Sequence, residues 1–412
     1  MQLSKPLVEA NIQLDTKKKI NENILLLVLA AINFTHIMDF VIIAPLNPFL
    51  KEVFQINTRQ FGFLMSAYTL SAGIFGFLAF FFIDQFDRRK ALIFLYCGFA
   101  LSNFLCALAN SFEFFMATRI FAGAFGGVLG ALVLSVVGDA VPPERRGRAT
   151  GVIMSAFSAA SIVGIPIGLY FAEIFSWHAP FILITVLSVI VLFFAYKYLP
   201  SMTGHLSKKA PLSPFDMLTS ILSIENVRWA MAFMFVLMVA GFTVVPFLSD
   251  YMVKNMGIAK NNLRYVYLFG GLATAVSGPI IGRLADKFGK RKMFVIAAIL
   301  SIMPMFLVTN LGHVEPWIAF AASTLFFIFF GGRFVPAMAL LSSSVEPQNR
   351  GKFMSINSCV QSLSSSVSSF GAGLIILNTA KGELTNYNIV GYIAIIATIG
   401  AIIISYRVKQ IS

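Results

Sequence analysis

The sequence predicts an all-α membrane protein, with twelve transmembrane helices arranged as two pseudo-symmetric bundles of six. Three observations lead there. Long apolar runs recur along the chain, Lys and Arg fall mainly on one side of the membrane those runs define, and landmarks of the first half return in the second. The 412 residues are 58% hydrophobic and 12% charged, with a mean hydropathy of +0.82. A soluble chain carries about 25% charged residues, so lipid is the solvent for most side chains here. The 43 Phe residues point the same way.

A spanning helix needs about 20 apolar residues. Measured by that length, the spans are 24–46, 59–83, 90–110, 113–139, 149–173, 179–199, 228–250, 262–285, 292–310, 316–342, 352–378 and 387–406. The runs are continuous rather than alternating, which excludes a β-barrel. They leave a polar N-terminal tail (1–23), an N-terminal bundle (24–199), a linker (200–226), a C-terminal bundle (227–406) and a C-terminal tail (407–412). The polar start lacks the apolar core of a secretory signal, and the first span is too long to be one. In the linker, Ser213 followed by Pro214 is a helix start. Phe215, Leu218, Ile221 and Leu222 then share one face, so a short amphipathic helix is expected at the inner surface.

Orientation follows from the basic residues. With the N-terminus inside, 23 of the 31 Lys and Arg lie in inner segments and six in outer ones, and Arg119 and Arg333 fall within spans. Positive charge on the inner side, facing anionic lipid, puts both termini in the cytoplasm of an inner-membrane, multi-pass protein. It also accounts for most of the net charge of +13. The basic residues are spread thinly and form no basic helix with interleaved aromatics, which excludes nucleic acid as a partner. Cys97, Cys106 and Cys359 lie in apolar runs and offer neither metal spacing nor a disulfide framework. No cofactor is implied, and the protein is expected to act as a monomer.

The halves repeat. "FFIDQFDRRK" follows span two and "GRLADKFGKRK" follows span eight, with Asp84 and Asp286 at matching places. Gly147 before span five matches Gly351 before span eleven, and Pro45 in span one matches Pro246 in span seven. The offsets are 201 to 204 residues. Two tandem six-helix units describe a parallel-repeat transporter with its site where the halves meet.

"GRLADKFGKRK" fits the loop motif G-x-L-x-D-[RK]-x-G-[RK]-[RK] of the major facilitator superfamily at Gly282, Asp286, Gly289 and Arg291, and the chain resembles that family over essentially its whole length. The first copy keeps Asp84, Arg88 and Arg89 but has Phe80 and Asp87 where the family has glycine. The resemblance implies a gating role for these loops. Asp84 would face the start of span eleven and Asp286 the start of span five, where exposed helix N–H groups favour negative charge. In span four, Arg119 followed by Gly123 and Gly127 resembles the family's fourth-helix motif, and glycines at that spacing permit close helix packing. "GIPIG" in span five (Gly164, Pro166, Gly168) is similar to the glycine- and proline-rich motif of the superfamily's antiporters, which bends and thins the helix. "MDFVIIAPL", "QFGFLMSAYTLSAG" and "GIPIGL" together resemble the drug and sugar efflux branch. Membership there implies export of a small molecule driven by proton entry.

An ionised carboxylate within hydrocarbon costs about 2.5–3.5 kcal/mol on insertion scales, so Asp39 needs a partner or a job. His36 and Asp39 are three residues apart and share a helix face. Asp39 and Arg119 each fall about six residues from the expected outer ends of their spans, roughly 9 Å deep at 1.5 Å per residue. In the family fold, spans one and four are neighbours. Asp39 is therefore expected to pair with Arg119 and to carry the coupling proton, losing it when the pair forms and regaining it when the pair separates. His36 assists or reads substrate. The alternative is a permanent ion pair that only orders the helices. Asn33, Tyr68 and Arg333 are expected to line the substrate cavity. Arg333 would meet an anionic solute, pair with a hydroxyl or carbonyl beside Pro336, or snorkel to the inner interface. Span seven has Ala240 where span one has Asp39, so coupling would be asymmetric.

Two other functions compete with export. One is proton-coupled import of a small organic solute. The other is a membrane-embedded enzyme or receptor, against which stand the lack of H-E-x-x-H, G-x-S-x-G and phosphate-loop motifs and of any loop longer than about 27 residues.

Overall fold

A computed structural model of the chain describes residues 22–203, 206, 214–346, 350–380 and 382–411. The N-terminal tail up to residue 21 and the linker positions Ser213, Lys208 and Lys209 lie outside the described residues. The backbone is almost wholly helical, because in lipid every N–H and C=O must find its partner within the protein.

The first half holds α1 (Glu22–Phe54), α2 (Thr58–Phe82), α3 (Arg88–Ala107), α4 (Phe112–Ala140), α5 (Arg146–Ala159), α6 (Ile165–Ile174) and α7 (Ala179–Tyr198). Span five is one unit made of α5, a π-helical turn over Ala160–Gly164, and α6. Pro166 stands just after that turn and has no N–H to donate, so the ladder there cannot continue in regular register. After the linker helix α8 (Pro214–Leu222), the second half holds α9 (Glu225–Phe242), α10 (Leu248–Lys254), α11 (Leu263–Phe288), α12 (Lys290–Asn310), α13 (Pro316–Gly332), α14 (Phe334–Ser342), α15 (Arg350–Ile375) and α16 (Tyr387–Ser405). Span seven is α9 and α10 joined through a 3-10 segment at Val245–Phe247, and span ten is α13 and α14. A two-stranded antiparallel hairpin, Leu377–Asn378 with Leu384–Thr385, joins α15 to α16.

Eleven helical units among the described residues are long and apolar enough to cross a membrane. The twelfth span is α15, 26 residues long and rich in serine. Its hydroxyls are satisfied locally: Ser364, Ser365 and Ser368 each bond the carbonyl four residues back, at 2.5, 2.7 and 2.6 Å. That back-bonding is how hydroxyls are accommodated inside a spanning helix.

Two expectations about element ends change. Span one runs to Phe54 rather than 46, with Pro45 and Pro48 inside the helix. An apolar ruler stops at the first polar residues, whereas the hydrogen-bonded ladder continues past them. The linker helix does form, but Ile221 is buried and Leu218 packs with it against Val227 and Ala230 of the second half. The face read as membrane-directed thus turns, at least there, into protein.

Within the first half, α4 lies directly on α2. A Cβ on Gly123 would sit 2.3 Å from the Tyr68 carbonyl oxygen, and one on Gly127 would sit 2.5 Å from Ala72 Cα. Gly164 and Gly168 place span five against Met38 and Ile42 of α1 in the same way. The halves meet chiefly where α2 runs along α15 and where α11 lies against the π turn and α6. At Gly62 and Gly373 the two backbones leave no room for a side chain, since a Cβ on Gly62 would be 2.9 Å from Gly373 Cα.

Candidate functional site

Three helices of the first half converge on one buried charge pair. Arg119 Nη1 of α4 donates to Asp39 Oδ1 of α1 at 2.5 Å, and Nη2 lies 3.4 Å from the Asp39 carbonyl oxygen. Both side chains are sealed from solvent. The guanidinium also stacks over the Tyr68 ring of α2, 4.4 Å from its centroid. Such a contact strengthens when desolvated, to about 2 kcal/mol. Gly126 makes the convergence possible: a Cβ there would stand 2.9 Å from Tyr68 Oη and 3.3 Å from the His36 ring. His36, on the same face of α1 as Asp39, packs edge-on against Phe99 with centroids 6.1 Å apart.

Hydrogen bonding here is incomplete. Asp39 Oδ2, Tyr68 Oη and His36 Nδ1 are buried without hydrogen-bond partners. A cavity of about 10 Å³ borders Tyr68 and Arg119, with Phe40, Ile43, Leu64 and Met65 completing its lining. That is room for one water. Phe40 closes the site toward the second half, stacking near both Tyr68 (5.7 Å) and Phe242 of α9 (5.9 Å). The charge pair therefore lies one layer behind the interface between halves. The pairing holds although the equal-depth reasoning behind it does not, because α1 continues fifteen residues past Asp39 to Phe54.

The other residues expected in the cavity sit elsewhere. Asn33 is buried and donates to the Ile153 carbonyl of α5 at 3.0 Å, tying two helices of one half together. Arg333 stands at the break between α13 and α14, almost fully buried. Its Nη1 donates to Thr398 of α16 at 2.8 Å and to Ser301 of α12 at 3.3 Å, and its guanidinium stacks on Phe330 at 4.5 Å. These neighbours all belong to the second half, so Arg333 faces the interior of its own bundle and not the seam. Of the three arrangements open from sequence, pairing with hydroxyls is the one found.

The loop motifs are engaged within their own halves. Asp84 is two-thirds exposed and pairs at 2.7 Å with Arg88, four residues on. Arg88 is buried and also bonds Asp139 at the end of α4, at 3.1 Å. Asp286 is exposed and makes no ion pair or hydrogen bond among the described residues. Among the described residues, neither aspartate makes a hydrogen bond or ion pair with the helix start expected for it. The reason is geometric: the polar bridges between halves lie at the other face of the molecule.

There, Lys51 Nζ donates to Asp250 at 2.6 Å and to Thr58 at 2.9 Å, and Thr58 reaches Asn378 at 2.5 Å. Asn47 donates to the Pro246 carbonyl at 3.0 Å. Glu52 pairs with Lys260, and Glu173 with Arg264 at 3.1 Å. Asp250 is completely buried, and its Oδ1 has no partner. Sequence reasoning passed over this cluster because Lys51 and Asp250 each read as an ordinary charge at a span end. The matched prolines of spans one and seven were the available signal, since they bring the two segments to one place.

The missing glycine of the first loop is explained by backbone conformation. Gly289 has φ +99°, a value that favours glycine. Asp87, at the matching position, has φ −55° and caps α3 through the Arg89 amide. Burial opposes the charge on Asp87. Hydrogen bonds from Ser201 and from the Met202 and Arg89 amides, with Lys90 nearby, outweigh that burial and hold the carboxyl below its usual range. Arg89 donates to the Tyr196 carbonyl at 2.6 Å, and Arg291 to the Val408 carbonyl at 2.5 Å. The matching arginines thus fasten the end of the sixth span of each half. Gly282 is in ordinary contact with Val335 of α14, at 3.6 Å.

The sequence pattern of the Major Facilitator Superfamily matches residues 29–271 and 231–410. The chain belongs to the Major Facilitator Superfamily. Among relatives of this facilitator, an uncharacterized MFS-type transporter of Bacillus subtilis (strain 168), YceJ, is 24% identical over 363 residues, which cover 86% of this chain and 90% of that one. A probable sugar efflux transporter of Helicobacter pylori (strain ATCC 700392 / 26695) is 22% identical over 283 residues, covering 68% of this chain and 70% of the other. Among solved structures, a D-xylose–proton symporter superposes with a TM-score of 0.76 at 16% identity, over 92% of this chain and 97% of that one. A bacterial homolog of the human lysosomal transporter Spinster, inward-facing and unoccupied, gives 0.71 at 14% identity, over 87% and 83%. At those identities the fold is what is shared. This facilitator is a multi-pass membrane transporter of small solutes and not an enzyme.

Proposed function

We propose that this facilitator exports a small organic solute across the inner membrane in exchange for entering protons, with Asp39 as the proton carrier. The observation that carries the reading is a buried carboxylate with only one oxygen held by Arg119, in a cluster whose other members, Arg119 and Tyr68, border a water-sized cavity. A purely architectural ion pair inside a bundle is expected to have its remaining lone pairs satisfied. An open oxygen next to Tyr68 and His36 is where a proton can be received once the guanidinium withdraws. Phe40 and Tyr68 separate this site from the seam, so solute binding in the seam would act on the pair through those two rings.

In this reading both termini are cytoplasmic, as the distribution of Lys and Arg requires, and the protein works as a monomer. The Lys51–Asp250 cluster is then the closed outer gate. The exposed Asp84 and Asp286 loops belong to an open inner side, and they would reach the starts of spans eleven and five when that side shuts. Export is favoured over import by the similarity to probable sugar efflux transporters and by the glycine–proline kink of span five.

The test uses inside-out vesicles with an established proton gradient and a panel of sugars and drugs. A transported compound should collapse the gradient in vesicles carrying wild type and fail to do so with Asp39→Asn. Undiminished coupled proton movement in Asp39→Asn would remove Asp39 from the role. A compound that moves only with protons in the same direction would make the protein a symporter.

A further inference from the structure

The first turn of α12 and the end of α16 enclose a groove of about 310 Å³, lined by Arg291, Lys292, Val295, Ile296 and Tyr406. It lies at the end of two spanning helices, on the face that carries the chain's last described residues. Its chemistry changes along its length. At one end stand two cations and the edge of an aromatic ring. At the other, Val295 and the exposed Ile296 lead toward Ile299 and Ile403, which are exposed on the lipid-facing surfaces of the same two helices.

The two cations differ in what they already do. Arg291 is bound to the Val408 carbonyl through Nη2 and stacks on Tyr406 at 5.6 Å. Arg89 makes the same pair of contacts with Tyr196 in the first half, so this clamp belongs to the architecture. The Nε of Arg291, however, is buried with no hydrogen-bond partner. Lys292 has no part in the clamp. It is exposed, lies 6.0 Å from the Phe288 ring, and has neither an ion pair nor a hydrogen bond among the described residues.

We propose that this groove binds an anionic phospholipid. The phosphate would be held by the Lys292 ammonium beside the Arg291 guanidinium, and an acyl chain would follow Val295 and Ile296 into the bilayer. Charge complementarity selects an anion, and the apolar wall selects one that carries a chain. Basic pockets between spanning helices at the membrane surface take lipid headgroups by this combination of forces. A free phosphate would meet the cations and leave the apolar wall uncovered.

The experiment uses the full chain, delipidated in detergent and titrated separately with phosphatidylglycerol and phosphatidylcholine, with lipid retention read by native mass spectrometry. Wild type should retain phosphatidylglycerol in preference to phosphatidylcholine. Lys292→Gln should weaken phosphatidylglycerol retention about fivefold, the loss of one cationic contact at a membrane surface, with phosphatidylcholine unchanged. Excess inorganic phosphate should leave the bound lipid in place. Equal retention of the two lipids by wild type, undiminished phosphatidylglycerol retention by Lys292→Gln, or displacement by inorganic phosphate would each overturn the proposal.

Discussion

Asp39 and Arg119 show how single residues can be placed by cost. Neither charge is tolerable alone in hydrocarbon, and each was the other's best available partner. The completed pair also stacks on Tyr68, a contact no spacing rule announces. Asp87 is a second case. It occupies a glycine position of the loop motif and replaces the glycine's conformational role with three accepted hydrogen bonds, one of which caps α3. A carboxyl held below its usual range adds stability that is present above its unfolded pKa of about 3.9 and lost as the pH falls through the lower folded value. Asp87→Asn keeps a good cap while removing the charge. It should therefore melt at lower temperature than wild type at pH 7, and the gap should close at pH below about 3.9. A gap that persists at acid pH would mean the carboxylate charge contributes nothing.

Elements were legible to the extent that they are continuous. Long apolar runs gave the spans, yet the kinks inside spans five, seven and ten were visible only as prolines and glycines whose effect depends on neighbours. Glycine spacing in span four correctly suggested close packing, but which glycines touch backbone is decided by α2. Gly123 and Gly127 meet it and Gly130 meets nothing within 4 Å. Gly127→Ala should destabilise the detergent-purified protein by about 1–3 kcal/mol through overpacking. Gly130→Ala should be neutral or gain up to about 1 kcal/mol from helix propensity. Thermal unfolding of the two variants checks this, and equal midpoints would show that α4 is free to shift away from α2.

At the scale of the whole molecule, the two bundles are joined across one face by Lys51–Asp250, Glu52–Lys260 and Glu173–Arg264. Only the first of these contains a fully buried carboxylate. Removing one partner of a buried pair costs about 3–5 kcal/mol, because the other charge is stranded. Lys51→Ala should therefore shift the population toward the state in which this face is open and Asp250 is wet. The readout is the alkylation rate, from that face, of a cysteine placed at Ser66 in a background lacking native cysteines. The rate should rise at least tenfold, and the added change Asp250→Leu should return it toward the parent value. An unchanged rate in Lys51→Ala would show that the α2–α15 contact alone keeps this face shut.

Legible in the chain were the spans, the two-fold repeat and, once the family resemblance set spans one and four side by side, the pairing of Asp39 with Arg119. The spans and the need of Asp39 for a counter-charge rest on the free energy of a residue or run in lipid, a local quantity that needs no partner's coordinates, and the repeat rests on matched offsets along the chain. Tertiary packing decided that Arg333 turns into its own bundle, that Asn33 is occupied by α5, that neither loop aspartate bonds the opposite half among the described residues and that Lys51 meets Asp250 across the seam. Those facts depend on helix rotation and on the tilt of one bundle against the other. Both are set by many small packing contacts between residues far apart in the chain, and no window of sequence contains them.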